Sequence, residues 1–350
     1  MKILSSRRQQ AFDQPLNLRP AVGRARRSSG AFRLAAAALA AVLLAWAAAP
    51  ALAQKAEPVK FKYPEVVYYD MIYLADELGY FDEAGIKPEY VGRMPTGQQV
   101  PSLVNGDLDL VTRHTPVIIA AVASGADIVT IAGGSMSTKE YPHMKYFVRA
   151  DSDIKSVKDF GGKTLGLNSF GACSEYVTKK YLKDNGLDPS SLKMITAPED
   201  QQEAPLKRGS TDIAIIHPLA SGRAAANKKD FRTLFSDWDI DGGVSGMCPY
   251  SVNGEFLRKN PQAVTELIGI LIKTAEWNNS HPEEARAIMA KRFGFKVEET
   301  ERYDFYIDQL VPEEGVVYWI NRLVEEGKLT ADQVKASDVY TNAYNPTVKK

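Results

Sequence analysis

Cysteine and histidine are scarce in this 350-residue chain, with only two and four of them. Two thiols exclude a disulfide framework, and a Cys173–Cys248 bond would only supplement a core, so free thiols are expected. The histidines show no H-x-H or H-x-x-x-H spacing, so neither a metal site nor a cofactor is expected. Neither sign of charge dominates, with 43 Lys+Arg against 43 Asp+Glu, and no basic stripe marks a nucleic-acid partner. Long hydrophobic runs are missing with one exception, residues 34–49. That stretch is small-residue-rich and shorter than the roughly 20 residues a membrane span needs.

The exception has a purpose. Arg24, Arg26, Arg27 and Arg33 lie on its basic side, and Ala51-Leu52-Ala53 closes it with a small-x-small pattern. Residues 1–53 therefore read as an export signal cleaved after Ala53, which predicts a periplasmic protein. No cysteine sits near that point, so no lipid anchor is expected. Arg26-Arg27 leaves the general and the twin-arginine export routes both open. Residues 54–350 carry 35 basic against 42 acidic side chains, a net charge of −7. Their number suits two domains better than one core.

Within that stretch, short β-branched runs alternate with amphipathic segments ended by glycine, an α/β pattern with mostly parallel strands. Strands are expected at 66–69, 108–112, 128–132, 164–167 and 213–216. Helices are expected before Gly79, over 115–123 with Thr115 as cap and Pro116 at its first position, and up to Gly186. From Pro261 onward the chain reads as helical, and Trp277, Tyr303, Phe305, Tyr306, Tyr318 and Trp319 read as core.

An internal repeat runs through this pattern. Leu103, Gly106, Asp109 and His114 recur as Leu206, Gly209, Asp212 and His217, each 103 residues later. Two lobes on one plan are expected, each placing a histidine at the carboxyl end of a strand. Open α/β sheets bind ligands there.

Residues 73–86, YLADELGYFDEAGI, resemble the opening motif of the NMT1/THI5-like family, the sulfonate-, nitrate- and pyrimidine-binding solute receptors of ABC transporters. Asn105-Gly106-Asp107-Leu108-Asp109, residues 160–166 (FGGKTLG), Asp188-Pro189 and residues 209–212 continue the family's order over about 60–345. The resemblance implies a two-lobed, type II periplasmic-binding-protein fold with two crossovers, expected near 148–152 and 243–250. Lobe 1 would comprise 54–149 and 247–350, and lobe 2 would comprise 150–246. It also implies a monomer that traps a small molecule by hinge closure and delivers it to an inner-membrane ABC permease without chemistry. An enzymatic branch of the family needs a Cys-rich motif that this chain lacks.

Residues just past the strand ends should line the cleft: Tyr69, Asp70, Arg93, Thr96, Arg113 and His114 from one lobe, and Asn168, Glu199 and His217 from the other. The small-residue turn Ser169-Phe170-Gly171-Ala172-Cys173-Ser174 feeds a helix and should offer free N–H groups to an anion. Cys173 at that helix start would have a lowered pKa. Tyr68 and Tyr69, adjacent on a strand, should point to opposite faces, with Tyr69 toward the ligand. The two arginines favour an organic anion, a sulfonate or aromatic carboxylate. Asp70, Glu199 and Asp200 keep open a pyrimidine or thiamine-precursor heterocycle. Two other readings stay open: an exported enzyme using Cys173 with His217, and a sensory partner of a membrane receptor.

Overall fold

The structure, a computed structural model, describes residues 57–349. The expected export signal lies outside them. Eleven strands form three sheets among the described residues. The first pairs β1 (Val59–Glu65) with β2 (Ile86–Arg93) in parallel. The second has the order β11 (Asp304–Phe305), β4 (Ile128–Met136), β10 (Cys248–Asn253), β3 (Leu110–Thr112). The third has the order β7 (Lys193–Thr196), β6 (Thr164–Leu167), β8 (Ile213–Ile216), β5 (Lys145–Arg149), β9 (Phe231–Ser236).

Helices α1 (Met71–Glu77), α2 (Gln99–Asn105) and α3 (Thr115–Ala123) accompany the first strands. The middle of the chain supplies α4 (Cys173–Asp184), α5 (Glu203–Arg208), α6 (Ala220–Ala226) and α7 (Asp237–Asp241). The C-terminal third is helical as expected: α8 (Gly254–Lys259), α9 (Pro261–Ser280), α10 (Pro282–Phe293), α11 (Glu313–Glu325) and α12 (Ala336–Val339). In α9, Val264, Leu267, Ile268, Leu271 and Ala275 recur at helical spacing and are buried. No described helix is long and apolar enough to cross a membrane.

Only the third sheet mixes directions, since every pairing in the second is antiparallel. β6 pairs in parallel with β7 and β8, but β5 runs antiparallel to β8 and β9, and β10 runs antiparallel to β3 and β4. β5 and β10 are the strands by which the chain enters each sheet from the other, so no helical crossover fixes them parallel. The chain leaves the second sheet after Met136 and enters the third at Lys145, so the passage is 137–144. β5, which the expected boundary gave to lobe 1, pairs within the third sheet. The return runs through 242–247, close to the expected place.

Two local expectations are corrected. The 66–69 run is not a strand: β1 is 59–65, with a register shift between Tyr63 and Glu65, and the backbone then turns into α1. β-branched and aromatic residues favour strands only where a partner edge exists, and here it ends at Arg93. The cap of α3 is His114 rather than Thr115, whose hydroxyl donates to the Met247 carbonyl instead (3.3 Å).

Repeat geometry follows the repeat sequence. Gly106 and Gly209 end α2 and α5 in the left-handed conformation, at φ 78° and 72°. Asp109 accepts the Lys62 N–H (2.8 Å) while its own N–H donates to the Lys62 carbonyl (3.0 Å). Asp212 makes the same pair with Thr164, at 2.9 and 2.8 Å. Each aspartate therefore registers the strand after it against an earlier one, and both strands are buried, β8 inside its sheet and β3 at the edge of its own.

Candidate functional site

The two apolar strands β3 and β8 set the stage, because the residues just beyond them emerge where the second and third sheets meet. Past β3 come Arg113 and His114; past β8 comes His217. The turn after His217 is strained: Leu219 sits at φ 78°, ψ −57°, a conformation rare for a branched side chain, yet is wholly buried in the core around β1 and α1. Strand β10 reaches the same place through a close approach. Gly134 in β4 (φ +69°) lies so near the Cys248 carbonyl that a Cβ there would be 1.9 Å from the oxygen. Only glycine lets β10 pack there and present Cys248 and Tyr250.

These segments enclose a cavity of about 40 Å³. Tyr68, Tyr69, Asp70, Thr96, Arg113, His114, Asn168, Glu199, His217, Cys248, Tyr250, Tyr303 and Phe305 are in its wall. At roughly 10–15 Å³ per water it holds a few waters or one small polar headgroup. Outside it opens a groove of about 500 Å³ that shares Tyr68, Thr96, Asn168 and Glu199 with the cavity and adds Arg93 and Asp200. Arg93 spans that groove to Asp200 (3.3 Å), an exposed pair.

The charges in the wall are not equivalent. Asp70 caps α1 by accepting the Ile72 N–H (2.7 Å) and takes the Tyr63 hydroxyl (2.9 Å). Burial raises its carboxyl to about 6 against these hydrogen bonds. Glu199 accepts the His217 N–H (2.6 Å), and both its oxygens stand 3.1 Å from His217 Nδ1. Burial alone would raise Glu199, but His217 and Asn168 outweigh it and hold the carboxyl below its usual range. Both acids are thus engaged internally. Arg113 is different. It is 5% exposed, forms no ion pair among the described residues, and its Nε has no hydrogen-bond partner. Burial lowers its pKa, the mark of a cation lacking a counter-charge.

Beside the cavity three imidazoles gather round one thiol. Cys173 Sγ lies 3.3 Å from His114 Nδ1, 3.4 Å from His143 Nε2 and 3.9 Å from His217 Nε2, and all four residues are buried. Cys248 Sγ is 3.0 Å from the same His114 nitrogen, and neither cysteine forms a disulfide. Burial, then the charge of Arg113, lowers the His114 pKa well below its usual value, and burial does the same to His143. Burial pushes Cys173 far up and Cys248 to about 12.

The comparisons with known proteins agree with this architecture. The NMT1/THI5-like family profile matches residues 67–285, well over half of the chain. The chain belongs to the NMT1/THI5-like family. Its fold is that of periplasmic binding proteins. It superposes on the alkanesulfonate-binding protein SsuA of Xanthomonas axonopodis, bound to MOPS, at a TM-score of 0.66 and 16% identity, covering 82% of this chain and 99% of that one. A ligand-binding component of an ABC-type import system from Staphylococcus aureus, with zinc bound, gives 0.70 at 12% identity over 84% and 99%. The nitrate-binding protein NrtA of Synechocystis gives 0.67 at 14% over 82% and 87%. No curated protein matches the sequence.

In this NMT1/THI5-like protein, Tyr69, Asp70, Thr96, Arg113, His114, Asn168, Glu199 and His217 stand in the cavity wall, and Arg93 stands in the outer groove. The turn 169–174 does not line the cavity. Phe170 is 55% exposed, and the Gly171 N–H that was expected to face a ligand donates to Glu175 of its own helix (2.7 Å). Cys173 is buried behind the wall and its thiol pKa is raised, not lowered, because desolvation outweighs the helix terminus. Tyr68 lines the cavity beside Tyr69, because the strand has already ended and the alternation of faces no longer applies.

His143, Cys248, Tyr250, Tyr303 and Phe305 were not anticipated as site residues. Tyr303 and Phe305 read as core, and they are buried while also facing the cavity. His143 sits on the 137–144 passage, held by its N–H donating to Ser137 Oγ (3.1 Å), and carries no local motif.

Proposed function

We propose that this chain is the solute-binding component of an ABC importer, and that it captures a small organic anion between two lobes, of which the second and third sheets are the cores. The observation that carries this reading is Arg113: a buried guanidinium in a cavity wall whose two carboxylates are already engaged elsewhere. A sulfonate or carboxylate group would supply the missing counter-charge through paired N–H···O bonds. Tyr68, which borders both the cavity and the outer groove, gives the adjoining carbon skeleton an apolar face. The cavity admits a headgroup but no larger body, so the reading requires the lobes to part for entry and to close over the ligand, as hinge-closing receptors do. The exposed Arg93–Asp200 pair across the groove suits a contact made on closing. Family membership and the binding proteins sharing the fold support a receptor.

The enzymatic reading through Cys173 loses ground on position. The thiol lies outside the cavity wall, buried and with its pKa raised, so it offers neither thiolate nor access.

Native mass spectrometry of the purified protein, joined to a thermal-shift screen of sulfonates, carboxylates, nitrate and pyrimidines, tests the proposal. Stabilisation confined to anions supports it. Stabilisation by pyrimidines alone, or recovery of a chemically altered ligand, would contradict it.

A further inference from the structure

Three of the four histidines in the chain converge on one of its two cysteines. Chain position does not explain this. His114 follows β3, Cys173 opens α4 after β6, His217 follows β8, and His143 lies on the passage between the second and third sheets. Four separate segments deliver one donor atom each, and the four atoms lie within 4.8 Å of one another.

Three ring nitrogens share one thiol, and hydrogen bonding still leaves one nitrogen of the cluster unpaired. One thiol carries one proton, and three imidazole nitrogens face it. Glu199 accepts from His217 Nδ1–H and so orients the ring with Nε2 toward Cys173. His143 Nδ1, on the far side of its ring, has no partner at all. Three imidazole nitrogens and one sulfur therefore face a single point from four directions.

The spacing suits a cation at that point. With metal–sulfur and metal–nitrogen bonds of about 2.3 and 2.0 Å, a tetrahedral centre separates its sulfur from each nitrogen by about 3.5 Å. The three separations here are 3.3, 3.4 and 3.9 Å. One thiolate with three imidazoles is a borderline-soft set that excludes magnesium and calcium, which want oxygen. A carboxylate on the outer nitrogen of a ligating histidine is the usual second layer of such sites, and Glu199 supplies it.

We propose that His114, His143, Cys173 and His217 form a tetrahedral site for a late first-row divalent cation of the zinc class. Binding replaces the Cys173 S–H bond with a sulfur–metal bond and releases that one proton to solvent. Because the ligands come from residues following strands of both sheets and from the passage between them, the complete set exists only when those segments are together. Metal occupancy therefore favours the closed arrangement. His114 and His217 also line the cavity, so the ion forms part of its wall behind Arg113.

Chelator-stripped protein is titrated with Zn²⁺ against a chromophoric competitor, and with Co²⁺ for its absorption spectrum. The expected result is one ion per chain, an intense tetrahedral cobalt spectrum and a sulfur-to-cobalt band that disappears in Cys173→Ser. His143→Gln should weaken zinc by about a hundredfold or more. Glu199→Gln, which removes no ligand, should weaken it by about 10–100-fold. His281→Gln, at the one histidine outside the cluster, should leave it unchanged. Circular dichroism confirms that each variant is folded. Absence of stoichiometric binding, an octahedral cobalt spectrum, or wild-type zinc affinity in His143→Gln would overturn the site.

Discussion

His114 and His217 are 103 residues apart in sequence, and their ring centroids stand 5.4 Å apart in the structure. Each follows the strand that an aspartate registers, Asp109 in one repeat and Asp212 in the other. The sequence repeat is thus also a device for aiming two equivalent side chains at one place.

Equivalence predicts equal cost. Asp109→Ala and Asp212→Ala each remove a carboxylate bound to a strand N–H and leave that donor without its partner. Each should lower stability by about 1–3 kcal/mol, and by similar amounts, in urea unfolding. A loss at one position only would show that the second repeat keeps the motif without its role.

Arg113→Ala should weaken an anionic ligand by tenfold or more while leaving the circular dichroism spectrum unchanged. Removing an unpaired buried cation from the unliganded protein should not destabilise it, since only desolvation is relieved. A clear fall in melting temperature without ligand would mean that the guanidinium has a structural partner.

Asp70 gives a pH signature. Its folded carboxyl titrates at about 6 against a reference of 3.8, so between those values the folded protein holds a proton that the unfolded chain has released. Its contribution to stability therefore falls as pH rises from about 4 to about 6 and stays low above that. Asp70→Asn keeps the capping oxygen and removes this titration. The variant should gain on the wild type between pH 4.5 and pH 7.5 in denaturant midpoint. A constant difference across that range would place the Asp70 carboxyl near its ordinary value.

Gly134→Ala should cost at least about 2 kcal/mol, because the new Cβ would meet the Cys248 carbonyl at a positive φ. Thermal unfolding checks it. A neutral substitution would mean that β10 can shift away from β4.

Much of this was legible in the sequence. The fold class, the repeat, and Arg113, His114 and His217 follow from glycine stops, apolar strands and the rule that ligands sit past strand ends. Other features depend on tertiary placement. His143 has no periodicity or neighbour to mark it, since only the path between sheets brings it to Cys173. The helix start at 169–174 looked free because its partner, Glu175, lies inside the same helix and reads as an ordinary surface acid. The run 66–69 has strand residues but no edge to pair with. Local spacing likewise says nothing of the cluster of His114, His143, Cys173 and His217, whose four atoms come from four segments.

The central claim is that the cavity selects an organic anion through Arg113. Calorimetric titration of the purified protein with matched sulfonate, carboxylate, neutral and amine forms of one carbon skeleton tests it most directly, with Arg113→Met in parallel. Binding of the anionic forms alone, reduced tenfold or more in Arg113→Met, is the predicted result. Equal binding of the amine or neutral form, or an unchanged affinity in Arg113→Met, would contradict it.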